Sequence, residues 1–135
     1  MKIRMLLSIV IGLLLTAGCG QKSYNEQQEL FLANNGWSIK KLMEVETYML
    51  DIPNEMLSNY EASGITFLED YLGKEVTECL FVLKEKDRNG ENLKAVVFET
   101  EEEIIGGYGI LPSWTPGLFN LGDKERLINE QMIKQ

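Results

Sequence analysis

Histidine is absent from this 135-residue sequence, and that gap removes a large share of enzymology. Without an imidazole there is no Ser-His-Asp or Cys-His pair, none of the usual catalytic zinc sites, and no side chain whose ordinary pKa lies near neutrality. Cysteine is scarce: Cys19 and Cys79 are the two present, so the chain has no disulfide framework to substitute for a core. Basic residues are outnumbered, 13 against 21 acidic, for a formal net charge of −8. Nucleic-acid phosphates repel such a surface, so nucleic acid is not an expected partner. Proline occurs only three times, and there is no repeat or low-complexity tract.

One long apolar run is present. Lys2 and Arg4 precede residues 5–15, which are hydrophobic apart from Ser8 and Gly12, and Thr16, Ala17 and Gly18 then lead to Cys19. This is the layout of a secretory signal. The uncharged stretch, residues 5–20, makes a helix of about 24 Å at ~1.5 Å per residue, short of a hydrocarbon core about 30 Å thick. Ala17-Gly18-Cys19 resembles the lipobox of bacterial lipoproteins, with Thr16 where a branched apolar residue is usual. The resemblance implies a signal peptide at 1–18, diacylglyceryl on the Cys19 thiol, and a cell-membrane location on the extracytoplasmic face. Two acyl chains give stable anchoring, each buried methylene contributing about 0.8 kcal/mol. Processing takes away Lys2 and Arg4 and leaves 117 residues with 11 basic and 21 acidic side chains, net −10. That balance offers no second, electrostatic hold on anionic lipid. Residues 19–22 form the lipid-anchored tether, of which residues 20–22 span about 10 Å at ~3.5 Å per residue.

Beyond the tether the pattern predicts an α+β domain over 23–121 and a helical tail over 122–135. Ser23 and Glu26 have capping-box spacing, and Asn34-Asn35-Gly36 closes that first helix. Alternation centred on 44–50 predicts a strand, and Pro53 opens a short helix carrying Met56, Leu57 and Tyr60. Thr66 and Glu69 repeat the capping-box spacing before Gly73. From Lys74 the period becomes two, and both faces are apolar around Cys79, Leu80, Phe81 and Val82, as in an inner strand. A hairpin loop at 87–92, a return strand over 93–100, an acidic turn at 101–103 and a strand over 104–111 complete a three-strand meander. Leu118, Phe119 and Leu121 tuck back on the core, and Asp123 caps a last helix with Leu127, Ile128 and Met132 on one side. The expected architecture is an antiparallel sheet of about four strands with helices on one face.

The words "FLANNGW", "DIPNEM", "YLGKEV", "AVVF", "EIIGGYG" and "GLFNL", in that order over 25–121, resemble the bacterial domain-of-unknown-function family 4830 of Firmicutes. Tyr108 and Asn120 stand where family members often carry an acidic residue and a histidine. The family has no assigned activity, so the resemblance implies an architecture and an envelope setting.

Each candidate site has a plainer explanation beside it. Gly106, Gly107 and Gly109 lie between apolar residues, which predicts a bulge or close backbone approach rather than a phosphate loop. Cys79 has Glu78 as neighbour and no base, which predicts a packed thiol. Asp87, Asn89 and Glu91 offer alternating oxygens but not the order of a calcium loop, which predicts a solvated hairpin tip. Glu99, Glu101, Glu102 and Glu103 read as a charged turn that resists edge association. Trp114, held between Pro112 and Pro116, and Tyr108 are the candidate partner contacts.

The sequence thus predicts a monomeric, membrane-anchored lipoprotein with a non-catalytic binding or accessory role, an envelope protein or peptide as partner, and no cofactor or metal. Two alternatives stay open. One is a hydrolase working with carboxylates such as Glu69, Asp70 and Glu75; the other is a structural or inhibitory module presenting its 112–117 loop.

Overall fold

The computed structural model describes residues 23–115 and 117–134. Helix α1 (Glu26–Asn34) is followed by strand β1 (Ile39–Met49), helix α2 (Asn54–Ala62) and a 3-10 turn (Leu68–Tyr71). Strands β2 (Glu75–Lys86), β3 (Asn92–Glu99), β4 (Ile104–Ile110) and β5 (Leu118–Phe119) come next, then a 3-10 turn (Leu121–Asp123) and helix α3 (Lys124–Asn129). The class is α+β. The strands form one five-stranded sheet in the order β1-β2-β3-β4-β5, every neighbouring pair antiparallel.

The fifth strand comes from Leu118 and Phe119, which pair with Ile110 and Gly109 as well as tucking inward. β1 also starts earlier than the alternation predicts. Ile39 and Leu42 are buried while Lys40 and Lys41 are exposed, and register shifts between Ile39 and Lys41 and between Leu42 and Glu44 absorb the broken period. These bulges place two apolar side chains inward where strict alternation would not.

Helices cover both faces of the sheet, which corrects the one-face arrangement. On one side Leu32 of α1 and Leu127 of α3, both wholly buried, pack with Trp37, Phe81, Val97 and Phe119. On the other, Leu57 of α2 and Leu68 of the 3-10 turn pack with Leu50, Val76, Phe98 and Tyr108. The sheet's middle strand β3 is accordingly buried on both faces, from Leu93 at 0 % exposure through Val96 at 4 %. The chain's end belongs to the first layer: Ile133 is buried and bridges Asp87, and the Lys134 amide donates to the Lys86 carbonyl. Met132 lies past the end of α3.

Three expected caps are placed differently. The capping box belongs to Asn25 and Gln28, the Asn25 Oδ1 accepting from the Gln28 amide at 2.9 Å and the Gln28 Oε1 accepting from the Asn25 amide at 3.1 Å; Ser23 lies outside the helix. Thr66 caps nothing, because its segment closes a short 3-10 turn. Asp123 makes no side-chain cap and instead pairs with Arg126 at 3.2 Å. The helix ends share one device. Residues 36, 64 and 131 all have positive φ, and the following amides of Trp37, Ile65 and Met132 return to the carbonyls of Leu32, Tyr60 and Leu127. This is the Schellman closure, built on glycine twice and on Gln131 once.

Gly106 and Gly109 of β4 sit under rings, as the close-approach reading expects. A Cβ on Gly106 would lie 2.6 Å from the Phe67 ring, and one on Gly109 would lie 2.0 Å from the Phe119 ring.

Candidate functional site

Cys19, the 1–18 signal and the 19–22 tether fall outside the described residues. Of the two aromatic candidates, Tyr108 is an interior residue, 6 % exposed and packed against Tyr60 at 5.3 Å and Phe98 at 6.0 Å between ring centroids. Burial, and secondarily the Tyr60 hydroxyl, push its phenol far above the ordinary value. Trp114 is half-buried against the α1-side core, with the Arg88 guanidinium 4.9 Å from its ring centroid. Its indole N–H is buried without a hydrogen-bond partner among the described residues.

The hairpin tip is not solvated at Asp87, which is 0 % exposed. Its Oδ1 accepts from the amides of Asn89 and Glu91 at 2.9 and 3.0 Å, and its Oδ2 accepts from the Ser113 hydroxyl at 2.6 Å. Burial works to raise this carboxyl, but the Ser113 hydroxyl and the backbone amides outweigh it and hold the pKa below its ordinary value. Asp87 thus ties the β2–β3 hairpin to the 112–117 loop. Among the described residues no group of three or more Cys, Asp or Glu is arranged to hold a metal ion.

Cys79 is 2 % exposed in the middle of β2, and the Gln28 side-chain Nε2 donates to its sulfur at 3.4 Å. Burial and the nearby Glu99 push the thiol up to about 11, so it stays protonated at neutral pH. Glu69, Asp70 and Glu75 are all exposed, the first two on the 3-10 turn and the third at the start of β2.

Besides the 99–103 turn there is a second cluster of unbalanced charge, one that no motif announces. Pairing of β1 with β2 sets Glu46 opposite Glu78, Glu44 opposite Leu80 and Tyr48 opposite Val76. Directly opposed residues share a face, so Glu44, Glu46 and Glu78 gather with Tyr48 on the α2 side of the sheet. Among the described residues no lysine or arginine pairs with any of the three, and the ion pairs are those of Arg126 with Asp123 and Glu130. Half-burial raises the Glu78 pKa, Tyr48 bonding opposes the rise, and the charges of Glu46 and Glu44 add to it. Tyr48 in turn is pushed up to about 12 by burial and by Glu78. The other side of the same strand half is mixed: Val45 is 49 % exposed and Met49 59 %, and between them the exposed Thr47 shares a hydroxyl hydrogen bond with Thr77 at 2.8 Å. The signal for this surface lay in the alternation Glu44, Glu46 against Val45, Met49, once β1 is known to be an outer strand.

A groove of about 610 Å³ opens at the nearby end of the sheet, between Tyr71, Lys74 and Glu75 on one bank and Glu99 and Glu101 on the other. A more apolar hollow of about 490 Å³ lies between Met56 and Tyr60 of α2 and Thr115 and Leu118. Among the described residues no helix is long and apolar enough to cross a membrane. No family model, no curated protein and no solved structure matches the chain.

Proposed function

We propose that this chain is a lipoprotein of the bacterial cell envelope, held on the extracytoplasmic face of the membrane through acylated Cys19, and that its α+β domain is a non-catalytic binding or accessory module. The observation that carries the reading is the order of residues 2–19: positive start, apolar run too short to span, then Ala17-Gly18-Cys19. Its companion is the closeness of the fold to that cysteine, since Asn25 already caps α1. The domain therefore works within a nanometre or two of the bilayer, where its partners are membrane or envelope proteins. Membership of family 4830 is part of the same proposal and rests on the ordered words between residues 25 and 121. The excess of acidic side chains favours a basic partner.

Intact-mass analysis of the mature protein tests the anchor. The expected species begins at Cys19 and carries diacylglycerol, and Cys19→Ser leaves the membrane fraction or accumulates unprocessed. A mature chain with a bare Cys19 thiol refutes the assignment. Crosslinking in membranes followed by co-purification tests the binding role, and a purified domain that turns over a substrate contradicts it.

A further inference from the structure

β1 is an outer strand, pairing among the described residues with β2 alone, and its two halves differ. The first half carries both register shifts together with Lys40 and Lys41. Bulges and lysines are how proteins protect an outer strand from unwanted pairing. The second half, residues 44–49, keeps unbroken register with β2 and has neither bulge nor lysine; its guard is the negative charge of Glu44 and Glu46, which repels a like edge and admits a basic one. We propose that this half of β1 is a docking edge for an extended segment of a partner protein in which basic and apolar residues alternate.

The backbone sets the geometry. The Leu50 amide donates to the Lys74 carbonyl on the β2 side. Peptide groups in a strand alternate in direction with period two, so the amides and carbonyls of Val45, Thr47 and Met49 point to the open edge. A strand laid there continues the sheet through main-chain bonds, and side chains on its two faces meet different surroundings. On the α2 side they meet Glu44, Glu46 and Glu78, which lack a cationic partner among the described residues. On the α1 side they meet the exposed Val45 and Met49, with Thr47 between them already bonded to Thr77, so the partner's apolar residues pack on the two ends of that row. A partner alternating Lys or Arg with Val, Ile or Leu satisfies both rows at once, because oppositely charged and apolar cross-strand pairs are each favourable.

A second copy of this chain fits worse. Its outward peptide groups also lie at odd positions, so an antiparallel pairing sets odd residues against odd and even against even. Glu44 and Glu46 then oppose glutamates or Tyr48 of the copy, and like charges directly across a ladder are destabilising. The proposal deepens the binding-module reading and takes nothing from the lipid anchor.

The test uses the full-length protein in detergent and three fluorescent peptides about ten residues long: alternating Lys and Val, the same composition as a Lys block followed by a Val block, and alternating Glu and Val. The alternating Lys-Val peptide is expected to bind about tenfold or more tighter than the other two and to slow hydrogen exchange at the amides of Val45, Thr47 and Met49. Combined Glu44→Lys and Glu46→Lys, both at exposed positions, should reverse the preference toward the Glu-Val peptide with no loss of thermal stability, since the change also relieves the repulsion on Glu78. Equal binding of the alternating and block peptides, protection elsewhere on the molecule, or indifference to charge reversal overturns the proposal. Crosslinking to an envelope protein through another face removes the edge but leaves the binding role standing; turnover of a substrate removes the binding role itself.

Discussion

Gly109→Ala is the sharpest test of how β4 is packed. The new Cβ would sit 2.0, 2.3 and 2.5 Å from Cζ, Cε2 and Cε1 of Phe119, where carbon atoms prefer about 3.5–4 Å. The ring has to retreat by well over an ångström, and it has nowhere to go. Phe119 is 1 % exposed and lies 5.5 Å from the Trp37 ring, which is itself fixed by an indole hydrogen bond to the Leu121 carbonyl at 2.8 Å. Replacing a strand glycine stabilises by about 0.4–1 kcal/mol through the unfolded chain, but overpacking of this kind costs roughly 1–3 kcal/mol or more. The clash wins, and a net loss of about 2 kcal/mol is expected. Phe119→Leu alone should cost about 1–2 kcal/mol in lost burial, yet it deletes the very atoms that obstruct the methyl. The double variant should therefore be no less stable than Phe119→Leu, a coupling of about 2 kcal/mol in the cycle. Urea unfolding followed by the fluorescence of buried Trp37 reads the midpoints at constant slope. Additivity of the two changes within about 0.5 kcal/mol refutes the packing argument.

Other substitutions test the polar interior and the helix ends. Asp87→Ala strands the amides of Asn89 and Glu91 and the Ser113 hydroxyl, and equilibrium unfolding should show a loss of about 3 kcal/mol. Because the folded pKa of Asp87 is lowered, its contribution is present above the unfolded value near 3.9 and is lost as pH falls through the folded one; the Asp87→Ala deficit should shrink in acid. Glu78 has the opposite sign. Its folded pKa is raised, so the folded state is favoured as pH falls into the window above the unfolded value near 4.3, and Glu78→Gln should stabilise at neutral pH while the gain fades in acid. Gln131→Gly relieves a φ of 59° at the end of α3 and should raise stability by about 0.5–1 kcal/mol, measured as a shift in thermal midpoint. Buried Cys79 should resist alkylation in the native protein and react once the chain is unfolded.

What was legible in the sequence follows from the range of the interactions involved. The meander over 75–110 shows in local alternation because β2 and β3 are flanked on both sides by neighbouring strands and bury both faces, which leaves long apolar runs bounded by a loop and an acidic turn. The glycines of β4 pointed to close approach for the same local reason. Alternation alone predicts a shorter β1, because its inward pattern, Ile39 then Leu42, is compatible with a strand only if two bulges intervene, and bulges are settled by the partner strand. The two-layer cover was hidden because α1, α2 and α3 have only nine, nine and six residues. Helices so short anchor through single buried side chains such as Leu32, Leu57 and Leu127, too few to define a stripe.

The interior polar groups explain why the surface was harder to read than the fold. Asp87 looked like a loop residue because carboxylates at a hairpin tip usually face water, yet Ser113, twenty-six positions later, closes over it. Conversely, glutamates at alternate positions of a strand, such as Glu44 and Glu46, are an ordinary solvent face. Their significance depends on Glu78 arriving from β2 and on no cation arriving from anywhere among the described residues, both of which are properties of register and topology. A carboxylate with three donors is a finished structural element, whereas three carboxylates with none of the opposite charge, beside an open strand edge, are half of an interaction. That asymmetry directs the search for a partner to β1 and away from the hairpin whose spacing first suggested a site.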